Sequence, residues 1–97
     1  MIVTTTDSVE GNQIEAYLGV VSTVRLERVS LGSLLNASGR PAIEDALREA
    51  ASNAMEDLAS QATLLGANAV VGLRTDFEIA PGSQCVMLMG TAVRLRR

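Results

Sequence analysis

The feature that most constrains this chain is the run Leu64-Leu65-Gly66-Ala67-Asn68-Ala69-Val70-Val71-Gly72-Leu73-Arg74, where a helical pattern stops at a glycine and becomes an apolar strand. Upstream, Ile43, Leu47, Ala51, Ala54, Leu58, Ala62 and Leu65 recur at spacings of three and four, one face of an α-helix. Glu44, Arg48, Glu49, Asn53, Glu56, Asp57 and Ser60 fill the other side. The spacing predicts a helix from Pro41 to Leu65. Pro41 suits its first turn, and Gly66 suits the left-handed residue that ends it. Glu44 and Arg48 are spaced to support one another as helix charges.

After Gly66 the period changes to two. Pro81-Gly82 fits the centre of a type II turn, so the strand through Ile79 should reverse into a partner running from Gln84 to Leu95. That turn sets a register: Ala80 faces Ser83, Ile79 faces Gln84, Glu78 faces Cys85, Asp76 faces Met87 and Arg74 faces Met89. One face then carries Leu73, Thr75, Phe77, Ile79, Val86, Leu88 and Ala92, a floor for the helix. The other carries Arg74, Asp76, Glu78, Cys85, Met87, Met89 and Thr91.

Two more strands are expected near the start. Ile2 to Thr5 is short, and Ile14 to Leu26 alternates loosely, with Gly19 marking a bulge or a close backbone approach. Between Glu27 and Arg40, Gly32, Asn36, Ser38 and Gly39 alternate with Leu31, Leu34 and Leu35, which reads as a loop with a short helical turn. The fold class is α+β, a two-layer sandwich of one long helix on an antiparallel sheet.

Composition narrows the functions. Ninety-seven residues make one small domain, yet 47% are hydrophobic, more than a lone domain of this size easily covers. The excess points to burial between copies of the chain. Cys85 to Val93 is far too short for a membrane helix, and Met1-Ile2-Val3-Thr4-Thr5 has no basic leader, so a cytoplasmic protein without a membrane partner is expected. All eight basic residues are arginines, the net charge is -3, and there is one Tyr and one Phe. Nucleic acid, which calls for a dense basic patch or aromatic platforms, is therefore not an expected partner. The absence of His and Lys removes the commonest acid–base and Schiff-base groups, and no catalytic residue is assigned.

Several pieces of the chain together resemble a known family. Gly66-Ala67-Asn68-Ala69-Val70-Val71-Gly72, the acidic pair Asp76 and Glu78, Gly90-Thr91-Ala92-Val93 and Arg96-Arg97 are similar to the small bacterial YbjQ-like proteins. The likeness extends through Met55-Glu56, Ser60-Gln61-Ala62 and Gly19-Val20-Val21 to cover residues 1–97 as one domain. It implies a dodecin-like subunit shape, a homo-oligomer that is a pentamer, and a heavy-metal-binding label.

That label can be weighed against the residues. A closed zinc site takes four thiolate or imidazole ligands, whereas this chain offers one Cys and no His. The candidate ligands are Cys85, Glu78 and Asp76, with Met87 and Met89 beside them. Packing is the commoner use of Met and Cys on such a face, so no resident cofactor is expected. Three readings follow: an oligomeric binding or scaffold module, a soft-metal module on the Glu78/Cys85 face, and a carboxylate or thiol enzyme with its site between subunits.

Overall fold

A computed structural model describes residues 1–28, 39–80 and 82–96. Strands β1 (Ile2–Val3), β2 (Ile14–Arg28), β3 (Ala69–Ala80) and β4 (Ser83–Leu95) form one sheet in the order β1-β3-β4-β2. Among the described residues one helix, α1 (Gly39–Leu64), lies on one face. The sheet is mixed rather than antiparallel throughout, because β1 pairs with β3 in parallel, Ile2 beside Ala69 and Val3 beside Val70. A parallel pair needs a long crossover, and β2 with α1 supplies it.

The helix opens at Gly39, ahead of Pro41, and closes as its sequence dictates. Gly66 takes a φ of 85°, its N–H donates to the Thr63 carbonyl, and the Ala67 N–H donates to the Ala62 carbonyl. These two bonds satisfy carbonyls that the last turn would otherwise leave unpaired. Ala50, Ala54, Leu58 and Ala62 are buried, which turns the apolar stripe slightly from the expected one: Leu47 and Ala51 are half-buried and Leu65 is exposed. The small residues let α1 lie close to the sheet. Ile43, the Glu44–Arg48 pair, Pro81 and the loop leucines 31, 34 and 35 fall outside the described side chains.

The hairpin register from Arg74–Met89 to Ala80–Ser83 is the expected one, residue for residue, and Gly82 has the positive φ its turn requires. The expected floor holds only in part. Val86, Leu88 and Ala92 are buried under the helix with Val21 and Val70, whereas Thr75, Phe77 and Ile79 are exposed. The reason is lateral: α1 packs on β2 and β4, so the outer half of β3 extends beyond its cover.

On the far face the chain partly covers itself. Val9 and Ile14 pack on Ala69, Val71, Val93 and Leu95 as a second, smaller core. The segment is tied to β3 by Thr4 N–H to the Val70 carbonyl, Leu73 N–H to the Thr4 carbonyl and Gly72 N–H to the Thr6 carbonyl. Gly72, with φ 63°, sits where the β3 register shifts, and Gly19, with φ 136°, ends the shift in β2. Both are bulges.

Candidate functional site

The candidate ligands sit on the upper part of the far face, beyond the reach of Val9 and Ile14. Three strands place them in three columns. Glu78, Cys85 and Leu26 form one row, Asp76, Met87 and Val24 the next, and Arg74, Met89 and Ser22 the third. The row order follows from the Pro81-Gly82 turn, because a pleated strand turns every second side chain to one face. Cys85 is half-buried, while Met87, Met89, Val24 and Leu26 are all exposed, Leu26 at 69%.

This face brings Cys85 opposite Glu78, as the register requires, and opposed residues have Cβ atoms about 4.5 to 5.5 Å apart. Asp76 lies one row away, opposite Met87. Among the described residues no three His, Cys, Asp or Glu side chains converge on a common point. One chain therefore offers a thiol and a facing carboxylate, with thioethers alongside. That is half of a tetrahedral zinc set, and its soft members favour a thiophilic ion.

Among the described residues the one ion pair lies on the other face. Arg25 Nη2 donates to Asp57 Oδ2 at 2.6 Å, joining β2 to α1, with both side chains more than 40% exposed. Next to it, Gln84 is 1% exposed, and neither its Oε1 nor its Nε2 has a hydrogen-bond partner among the described residues. Arg25 Nε is buried without one as well. Alternation put Gln84 on the helix side, so its burial could have been read from the register. The ion pair had no signal beyond two opposite charges far apart in sequence.

Beside α1, where β3 is uncovered, Leu47, Ala51, Phe77 and Ile79 line an apolar groove of about 430 Å³ with Arg48 at its rim. The expected floor concealed this groove by placing Phe77 and Ile79 under the helix. Two glycines within the strands are occupied by the chain's own packing. A Cβ on Gly90 would stand 2.5 Å from Val70 Cγ1 and 3.4 Å from the Val71 carbonyl oxygen. Gly90 thus admits its own chain's β3, and Gly72 serves the bulge, so neither leaves a gap for a neighbouring backbone.

Comparison with known proteins adds the following. The model of a family described as "Putative heavy-metal-binding" (YbjQ) matches residues 1–96. A UPF0145 protein of Geobacillus thermodenitrificans (strain NG80-2) is 39% identical over 104 residues, covering 99% of this chain and 100% of its own. Another, from Pseudomonas fluorescens (strain Pf0-1), is 39% identical over 108 residues, covering 99% and 100%. Neither name denotes an enzymatic activity. A crystal structure of a protein described as of unknown function and of the DUF74 family, from Pediococcus pentosaceus ATCC 25745, superposes with a TM-score of 0.79 at 19% identity, covering 99% of this chain and 98% of that one. At that identity it speaks for the fold alone.

Proposed function

The chain belongs to the YbjQ family whose model it matches, and from that premise we propose that it is a self-assembling binding or scaffold module that works as a ring of identical copies. The carrying observation is the uncovered sheet: Val20, Val24, Leu26, Met87 and Met89 are exposed on one face, and Phe77 and Ile79 on the other. Scattered apolar residues are normal on a surface, but a contiguous patch marks an interface. The family resemblance supports a ring of five copies. No described helix is long and apolar enough to cross a membrane, and we place the protein in the cytoplasm.

Sedimentation velocity tests this reading. The wild type should sediment as one discrete oligomer, and Met87→Arg, which sets a charge in the exposed patch, should shift it toward smaller species. A Met87→Arg protein with unchanged sedimentation would remove the far face from the interface.

The row of Glu78, Cys85 and Leu26 favours a second reading, a soft-metal module in which Cys85 is the strongest ligand and Glu78 and Asp76 assist. Protein purified without chelator should carry no stoichiometric Zn²⁺ or Cu⁺. Tight binding at one ion per chain or per ring, lost in Cys85→Ser, would put this reading first.

A further inference from the structure

Three buried polar atoms have no hydrogen-bond partner among the described residues, and they lie together: Arg25 Nε, Gln84 Nε2 and Gln84 Oε1. Arg25 faces Val86 across the β2–β4 ladder, and Gln84 is two residues from Val86 on β4. The two side chains are therefore diagonal neighbours on the helix face, with Cβ atoms about 7 to 8 Å apart. Asp57 of α1 holds Arg25 there by Nη2 and leaves Nε unpaired. Nearly every buried polar group in a folded protein is paired, because burying one alone costs free energy. A ligand site is where such a local cost is kept.

The apolar groove beside α1 adjoins these atoms. Ile79 stands directly opposite Gln84, and Phe77 directly opposite Val86, so the groove floor is the next column of the same sheet face. Neighbouring strands are about 4.8 Å apart, and three single bonds carry the Gln84 amide away from its backbone. The amide thus reaches the inner wall of the groove. Leu47 and Ala51 of α1 form the other wall, and Arg48 at the rim is the one polar residue among the described residues that line it. The polar group a deeply seated ligand carries is therefore set by Gln84 and Arg25.

We propose that the groove and the Gln84 amide together bind a small aromatic compound with a lactam edge, an N–H beside a C=O in one ring. Gln84 presents a donor beside an acceptor, and a lactam presents the complementary acceptor beside a donor. The second lone pair of the ligand carbonyl takes the Arg25 Nε–H, so all three buried atoms are paired at once. A carboxylate on the same aromatic body would pair the two N–H groups but set its lone pairs against Gln84 Oε1. An aromatic without the edge would leave all three unpaired, and buried polar groups left unpaired are what reject a wrong ligand. The aromatic body lies against Phe77, between Leu47 and Ile79. The site deepens the binding half of the reading above and rests on it, although every residue it uses belongs to one chain.

Calorimetric titration with two compounds of one size tests the site: 2-quinolone, which carries the lactam edge, and 2-naphthoate, which carries a carboxylate. The wild type should bind 2-quinolone at one molecule per chain and 2-naphthoate about tenfold or more weakly. Gln84→Leu should stay folded and lose about tenfold or more of its affinity for 2-quinolone. No heat from 2-quinolone up to about millimolar concentration, equal affinity for both compounds, or unchanged affinity in Gln84→Leu would each overturn the proposal. Should the variant not fold, the side-chain NH2 resonances of Gln84 in the unaltered protein decide. They should move on adding 2-quinolone and stay in place with 2-naphthoate, and resonances that ignore 2-quinolone would overturn the site. A monomeric wild type that binds 2-quinolone would sink the assembly and keep this site, whereas an oligomer that does not bind it would sink the site alone.

Discussion

Leu58 has no exposed surface and lies at the middle of the buried helix stripe, so a charge there has nowhere to go. Leu58→Asp should cost several kcal/mol, as burying an unpaired carboxylate does, against a total stability of about 5 to 15 kcal/mol. It should therefore express as unfolded protein, and a soluble variant with an unchanged melting curve would show that this face of α1 is not the buried one. Gln84 offers the opposite sign. Its amide is buried and unpartnered among the described residues, and an apolar side chain of similar size removes that desolvation cost. Gln84→Leu should raise stability by about 1 to 3 kcal/mol in denaturant unfolding, and a fall would mean the amide holds something essential. Gly90→Ala should destabilise by about 1 to 3 kcal/mol, since its methyl would displace the Val70 side chain across the ladder.

Within the elements, legibility in the sequence depended on how local the cause was. Gly66 ends α1 and the Pro81-Gly82 corner sets the β3–β4 register through contacts a few residues apart, so both could be read from residue types. The lateral position of α1 depends on which strands of the sheet the helix settles over, which no local pattern encodes. That is why Phe77 and Ile79 were expected under the helix and lie beside it. Cover of the lower far face by Val9 and Ile14 was missed for the same reason: the turn residues 6–12 show a loop but not where it folds back. Of the candidate ligands, the Cys85–Glu78 opposition was legible from the turn, whereas the separation of Asp76 into the next row limits any metal set one chain can offer. The Arg25–Asp57 bridge links β2 to α1, but both groups are more than 40% exposed, so solvent screens it. Asp57→Asn should lower stability by no more than about 1 kcal/mol, and a larger loss would show that the pair also locks the buried Arg25 Nε in place.

At the scale of the molecule, the chain is too extended for its size. Its radius of gyration is 16.1 Å, where a compact domain of about 100 residues has about 13 Å. Its accessible surface is 6433 Å², against about 5,300 Å² for a compact monomer of this mass. The difference is on the order of the 800 Å² per partner that a specific interface buries. Of the apolar residues exposed on that surface, Val24, Leu26, Phe77, Ile79, Met87 and Met89 lie toward the hairpin end of the sheet, and Met1, Ile2, Tyr17, Leu64 and Leu65 toward the other. The proposed assembly would account for both the hydrophobic excess of the composition and the long hairpin. The most direct measurement is native mass spectrometry of the wild-type protein at low micromolar concentration. The predicted spectrum is a single closed oligomer, a pentamer or a stack of pentamers, with no substantial monomer; a well-folded monomer across that range would contradict the account.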